Sequence, residues 1–358
     1  MQCALLVVIV LAVQYLGSNL AANMKLVGIT PGFGFLNHAA NFQIGESVIP
    51  YQAGDSYGRA ILVGLLNTVK VAVAGCILAT IVGVALGVAR LSTNPLLAWH
   101  VQAFVEVVRN TPLLLQLFFW NAVLHGLPGP RQALSPVAGV LLSNRGVFVP
   151  GIETDSPVIA GVVLVFALAA VVFLAQGRRI GLAASVAGLL GAGAWGLAHG
   201  ATVALELPRL RGFNIAGGLT LSPEFAALLI GLVVNTSASI AETVRGGIVS
   251  VSAGQWEAGA ALGLKRLQIL RLIVLPQALR VIIPVMTSSF LTLTKNSSLA
   301  VAIGYPELVS VLNTTANTTG QALETIFIMM VVYLTLSLTV SVFMNAYNRR
   351  WKLRENAR

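Results

Sequence analysis

The stretch "QWEAGAALGLKRLQILRLIVLPQ", residues 255–277, carries three cations (Lys265, Arg266, Arg271), one carboxylate (Glu257) and two glycines (Gly259, Gly263) between long apolar segments. "WEAGAALG" reads as a short helix whose small residues let another protein approach closely, ended by Gly263 as a C-terminal cap. "LKRLQILRLIVLP" resumes with apolar residues at helical spacing and with cations suited to lipid headgroups. Pro276 is expected to break the chain before the next apolar segment.

The surroundings of this stretch decide the class. Of the 358 residues, 56% are hydrophobic and only 9% charged, where a soluble domain has about a quarter charged. Eight spans are expected, near 1–18, 60–89, 111–127, 158–176, 181–203, 224–247, 279–299 and 324–346, because about 20 apolar residues cross a bilayer as a helix. The chain therefore reads as an all-α polytopic membrane protein. The span 111–127 is the weakest, since it holds Gln116, Asn121 and His125.

Basic residues orient the spans. With both termini cytoplasmic, 14 of the 22 bases fall on the cytoplasmic side, including the tail "NRRWKLRENAR". Six fall opposite (Lys25, Arg59, Arg131, Arg145, Arg209, Arg211), while Lys70 and Lys295 lie within spans. The net charge of +10 is explained by topology, and nucleic acid is not needed as a partner. The start, "MQCALLVVIVLAVQYLGSNLAAN", has the outline of a signal peptide but no base in front; a retained helix is expected, which leaves 19–58 outside. Cys3 and Cys76 sit in apolar segments and imply no disulfide or metal framework. His125 and His199 read as isolated, with no metal partner at a useful spacing.

The spacing within 257–276 resembles the EAA loop of ABC-transporter permeases: E-A-A, three residues, G, nine residues, I-x-L-P. Glu257, Ala258, Gly263, Ile273, Leu275 and Pro276 match it, and Gly259 replaces the second alanine; that glycine is expected to loosen the helix slightly. "GLLNTVKVAV", "VEVVRNTPLLLQLFF", "ETVRGGIVSVSAGQWEAGAALGL" and "TKNSSLAVAIGYPEL" narrow the resemblance. They are similar to the polar amino acid branch, closest to general L-amino acid or glutamate/glutamine/aspartate/asparagine systems.

That resemblance implies a five-helix type I importer core at 59–126 and 223–350, with the coupling loop at 249–278. It adds an N-terminal helix and periplasmic segment (1–58), an inserted loop and helix pair (127–222) and a cytoplasmic tail (351–358). It further implies a cytoplasmic ATP-binding subunit dimer that binds ATP and Mg, a second homologous permease subunit, a periplasmic amino-acid-binding protein, an L-amino acid substrate and a lipid setting in the bacterial inner membrane. The residues implied in ATPase coupling are Glu257, Ala258, Gly259, Gly263 and Pro276. No P-loop is available in the chain: its five lysines follow Met24, Val69, Leu264, Thr294 and Trp351, so no Gly-Lys pair exists. The chain is accordingly expected to be no enzyme itself and to bind no cofactor.

Polar residues within spans are costly and mark function by default. In "NTSASIAETVRGG", Asn235 and Ser239 share a helix face that Glu242 continues. A carboxylate there could meet a substrate ammonium; packing against neighbouring helices is the competing role. Glu242 and Arg245, three apart, are expected to form an ion pair bracing the inner mouth. Asn67, Thr68 and Lys295 are further candidates for the pathway. An ion-gradient-driven secondary transporter and a non-transporting membrane scaffold remain the alternatives.

Overall fold

A computed structural model describes residues 2–26, 32–154, 183–188, 191 and 203–353. The expected span 158–176 lies outside the described residues, as do most of 181–203, His199 and the last residues of the tail, 354–358. The described chain is mostly helical. It divides into two compact units, Met1–Leu117 with Gly231–Met344 and Phe118–Ile230 with Asn345–Arg358.

Helices α1 (Gln2–Leu26), α2 (Tyr57–Ala89), α3 (Pro95–Asn110) and α4 (Leu113–His125) come first. Ser56 caps α2 by accepting from Arg59 N at 3.3 Å, and Asn94 caps α3 through Leu96 N at 3.0 Å; each cap satisfies an end amide the helix cannot. Helix α4 has 13 residues, about 20 Å at 1.5 Å per residue, too short to cross a hydrocarbon core of about 30 Å. The expected span 111–127 is corrected accordingly: Pro112 interrupts the helix on one side and "GLPGP", 126–130, on the other.

After the insertion come α5 (Pro223–Val249), α6 (Ala253–Ala261), α7 (Arg266–Ile269), α8 (Leu275–Asn296), α9 (Leu308–Thr319) and α10 (Ala322–Leu353). Among the described residues, four stretches are long and apolar enough to cross a membrane: Tyr57–Ala89, Pro223–Val249, Arg266–Ile303 and Ala322–Ala346. Their packing follows from small residues. A Cβ on Gly83 of α2 would lie 2.7 Å from Ile240 Cβ, and one on Gly87 would lie 2.8 Å from the Ala241 carbonyl oxygen. These glycines admit α5 almost to backbone contact, the packing available where water exclusion gives helices no drive to associate. On α3, Val101, Val105 and Val108 recur at helical spacing and bury against Ala238 and Ala241 of α5.

The segment between α1 and α2 is built into the first unit. Phe35 and Ala40 are buried with Tyr57, Ala60 and Ile61 of α2 and with Leu308, Val311 and Leu312 of α9. Gly32 N donates to Glu324 Oε1 at 2.9 Å, Arg59 holds the Pro50 carbonyl, and Glu46 pairs with Lys70 of α2. Residues 32–56 thus form a strap over α2 and α9.

In the second unit, short apolar runs with glycine turns form strands. Strands β1 (Leu134–Val137), β2 (Val140–Ser143), β3 (Gly146–Val149), β4 (Gly151–Thr154), β5 (Val203–Glu206), β6 (Arg209–Arg211), β7 (Asn214–Ala216) and β8 (Leu219–Leu221) flank the undescribed stretch. They make one antiparallel sheet ordered β1-β2-β3-β8 and the pairs β4-β5 and β6-β7. Phe148 faces Leu141 and Thr220 across this sheet. The all-helical expectation missed these strands, whose runs of three or four residues carry almost no periodic signal.

Candidate functional site

The loop from α6 to α8 is an exposed platform. Glu257 and Ala258 point outward while Gly259 is buried. A Cβ on Gly259 would lie 2.9 Å from Ile269 Cγ1 and 3.1 Å from Ile273 Cδ1, so α6 seats directly on the turns that follow. This is a different role from the loosening expected of Gly259. Gly263 takes φ 72°, and Gly263 N and Leu264 N donate to the carbonyls of Ala260 and Gly259 at 2.9 and 3.2 Å. That paired pattern stops α6 sharply, and glycine alone adopts it without strain.

Pro276 does not break the chain as expected. Leu270–Val274 widens into a π turn, with Leu275 N donating to Leu270 O, and Pro276 then sits in the first turn of α8. The wider turn takes up the strain of a ring with no N–H, so the helix runs on. Gln277 Nε2 donates to Ile273 O at 3.0 Å and to Gln255 Oε1 at 3.2 Å, tying the two ends of the platform together. Leu262, Leu267 and Leu272 are 78%, 74% and 63% exposed, an apolar surface of the kind that marks a contact site.

A second polar centre lies where α2, α3 and α5 converge. Arg245 Nη2 lies 2.6 Å from Glu242 Oε1, and its Nε lies 3.1 Å from Oε2. Arg90, at the end of α2, also pairs with Glu242, and its Nη2 lies 3.8 Å from Glu106 Oε1 on α3. The Arg90 side chain is 11% exposed and that of Glu242 28%. Sequence reasoning missed Arg90; its place just after an apolar span was the one available signal. Asn235, Ser239 and Glu242 are all half-buried on one face of α5, while Ala238 and Ala241 between them are buried. Among the described residues, none hydrogen-bonds the side chains of Asn235 or Ser239, so this face has polar capacity to offer.

The other candidates separate from this face. Asn67 is fully buried, and its Nδ2 donates to the carbonyls of Glu46 and Pro306, both at 2.8 Å. Thr68 accepts from Leu308 N at 3.1 Å. Both residues hold the strap and the start of α9 against α2. Lys295 is exposed in the last turn of α8. In the second unit His125 is not isolated: its Nε2 lies 3.4 Å from Glu224 Oε1. No cluster of three metal-ligating side chains occurs among the described residues.

Residues 75–353 match the family described as the binding-protein-dependent transport system inner membrane component. The chain belongs to that family. The inner membrane component is a multi-pass permease, and its match covers both the platform and the Glu242 centre, whereas the strap, Asn67 and Thr68 precede it. The chain is 46% identical to the putative amino-acid ABC transporter permease protein YhdX of Escherichia coli (strain K12), over 98% of this chain and 92% of that one. It is 42% identical to the general L-amino acid transport system permease protein AapQ of Rhizobium johnstonii, over 99% and 92%. Among solved structures, an amino acid ABC transporter with histidines covers 82% of this chain and 95% of its own, at TM-score 0.51 and 19% identity. That likeness concerns the fold alone.

Proposed function

We propose that this chain is one membrane half of an ABC importer that carries polar or general L-amino acids into the cytoplasm, driven by ATP hydrolysed on a separate subunit dimer. The observation that carries the reading is the platform: small residues and Glu257 point outward while Gly259 and the π turn anchor it from behind. A partner seated there moves α8 directly, because helix continues from Arg266 to Ile303. Closure of the ATP-binding dimer on Glu257 and Ala258, passed on through Gly259, Gly263 and Pro276, thus becomes reorientation of the spans. The substrate class rests on the names of relatives alike over nearly the whole chain.

In this reading the platform lies on the cytoplasmic side, and a second homologous permease subunit completes the pathway. A periplasmic amino-acid-binding protein delivers the substrate. The half-buried face of Asn235, Ser239 and Glu242 lines the path, with Glu242 and Arg245 at its inner mouth. Asn67, Thr68 and Lys295 stand at its outer end, the first two through the joint they hold.

The test is reconstitution of the full complex in vesicles, with uptake of a panel of labelled amino acids. Ala258→Trp overpacks the platform, and the complex should insert normally yet lose substrate-stimulated ATP hydrolysis and uptake together. Normal coupling in that variant sinks the role given to the platform. Uptake that follows an imposed ion gradient without ATP favours the secondary-transporter alternative.

A further inference from the structure

Glu307 stands apart from both polar centres. It is the residue before α9 and is fully buried. Its Oε1 accepts from Ser310 N at 2.9 Å and its Oε2 from Tyr333 OH at 3.1 Å, while Thr68 Oγ1 lies 3.4 Å from Oε2. Thr68 in turn accepts from Leu308 N. One carboxyl therefore fastens the start of α9 to α2 and to α10, and among the described residues no cation pairs with it.

The surroundings contain few charges. From α10 comes the Tyr333 hydroxyl. From α2 come Thr68 and, two residues on, Lys70, whose ammonium is taken by Glu46 of the strap. The turn leading into α9 supplies Tyr305, also fully buried, whose phenol burial and the neighbouring Glu46 and Glu307 push well above its ordinary value. Tyr305 therefore stays protonated. Burial of an acid facing hydroxyls and backbone amides disfavours its charged form. The hydroxyls and amides offset part of that cost, and the Glu307 carboxyl is pushed up to about 7.

We propose that Glu307 is a positioning residue for transport, a joint setting the outer ends of α2, α9 and α10, through which the proton concentration outside the membrane acts on the transport rate. The inference rests on the import reading given above. Because the buried carboxyl binds its proton more tightly than a hydrated one, the packed joint is most stable below the ordinary carboxylate value. Its advantage falls up to tenfold per pH unit as pH rises, and is fully lost above about 7. The ionised carboxylate then favours water over the packed joint.

The experiment is ATP-driven uptake by the reconstituted complex with binding protein, at a fixed pH on the nucleotide side and pH 5.5 to 8.5 on the other. Wild-type uptake should fall ~3-fold or more as pH rises through the carboxyl's range. Glu307→Gln, permanently neutral and of the same shape, should stay near the low-pH rate throughout. Tyr333→Phe removes a hydrogen bond that favours the charged form, so its inflection should move to higher pH. Parallel wild-type and Glu307→Gln curves overturn the proposal, as does an unmoved inflection in Tyr333→Phe, which keeps the test decisive should the glutamine variant fail to accumulate. Absence of uptake by wild type at every pH defeats instead the import reading on which the proposal rests.

Discussion

The platform at 253–277 and the junction around Glu242 solve opposite problems with opposite chemistry. The platform is assembled from neighbours in sequence: Gly259 lies against Ile269 and Ile273, and Gln255 against Gln277. Its outward face carries small residues, exposed leucines, the single carboxylate of Glu257 and the cations Lys265, Arg266 and Arg271, with no ion pair among them. The junction is assembled from Arg90, Glu106, Glu242 and Arg245 around three helices, and its Arg90–Glu242 pair joins positions 152 apart. It points inward and is held by charge. A surface that another protein must leave and regain is best built without deep ion pairs, since a buried charge deprived of its partner is costly. A junction that must keep three helices in register can use them.

The strongest way to break this contrast is Arg90→Met. It removes the guanidinium that α2 offers to both α3 and α5, leaving Glu242 with Arg245 alone and Glu106 without Arg90. Loss of one partner from a buried pair costs about 3 to 5 kcal/mol. The 28% exposure of Glu242 and its remaining partner reduce this to roughly 2 to 3 kcal/mol. The expected result is a clear fall in membrane abundance and in the detergent-solubilised melting temperature, with the platform's affinity for the ATP-binding subunit unchanged in the protein that remains. Wild-type stability in this variant would mean that the junction is incidental.

Glu242→Gln is milder and asks a functional question. It keeps the shape and part of the hydrogen bonding, and a bond to a charged group is worth about 1.5 to 3 kcal/mol against about 1 for a neutral one. Loss of about 1 to 2 kcal/mol corresponds to roughly 5- to 30-fold in transport efficiency. If Glu242 meets the substrate ammonium, adding Arg245→Met should leave uptake low at normal abundance. If the pair only braces the helix, the double variant should recover abundance and uptake together but in part, because Arg90 then keeps only Glu106 at 3.8 Å. Unchanged uptake in Glu242→Gln removes both roles.

What could be read from the sequence follows the same divide. Glu257, Gly263 and Pro276 could be placed because their relations are local and helical spacing carries them. Arg90 could not be paired with Glu242, because no pattern in one sequence joins positions 90 and 242. The strap was seen only as an external segment, since Phe35, Phe42 and Tyr51 have no period that reports packing against α2 and α9. Even locally, Pro276 misled: its missing N–H predicts a break, and the π turn that accommodates it leaves no mark in composition.

The smallest effect belongs to the one departure from the loop's pattern. At an exposed helical site Gly→Ala gains about 1 kcal/mol in helix propensity. At Gly259 the new methyl would meet Ile269 Cγ1 at 2.9 Å and Ile273 Cδ1 at 3.1 Å. Inserting a carbon into a packed contact costs about 1 to 3 kcal/mol, so after the propensity gain Gly259→Ala should destabilise the protein by about 0 to 2 kcal/mol. The displacement matters more than the energy, because it lifts α6 from the π turn behind it. ATP hydrolysis should persist while uptake per ATP falls modestly, about 2- to 3-fold, since about half a kcal/mol at the contact is a factor of that size. Ile273→Val removes the Cδ1 that meets the new methyl at 3.1 Å, and the Gly259→Ala, Ile273→Val pair should restore part of the coupling ratio. If Gly259→Ala raises the melting temperature and leaves coupling intact, the glycine is a neutral replacement and the platform is not anchored through it.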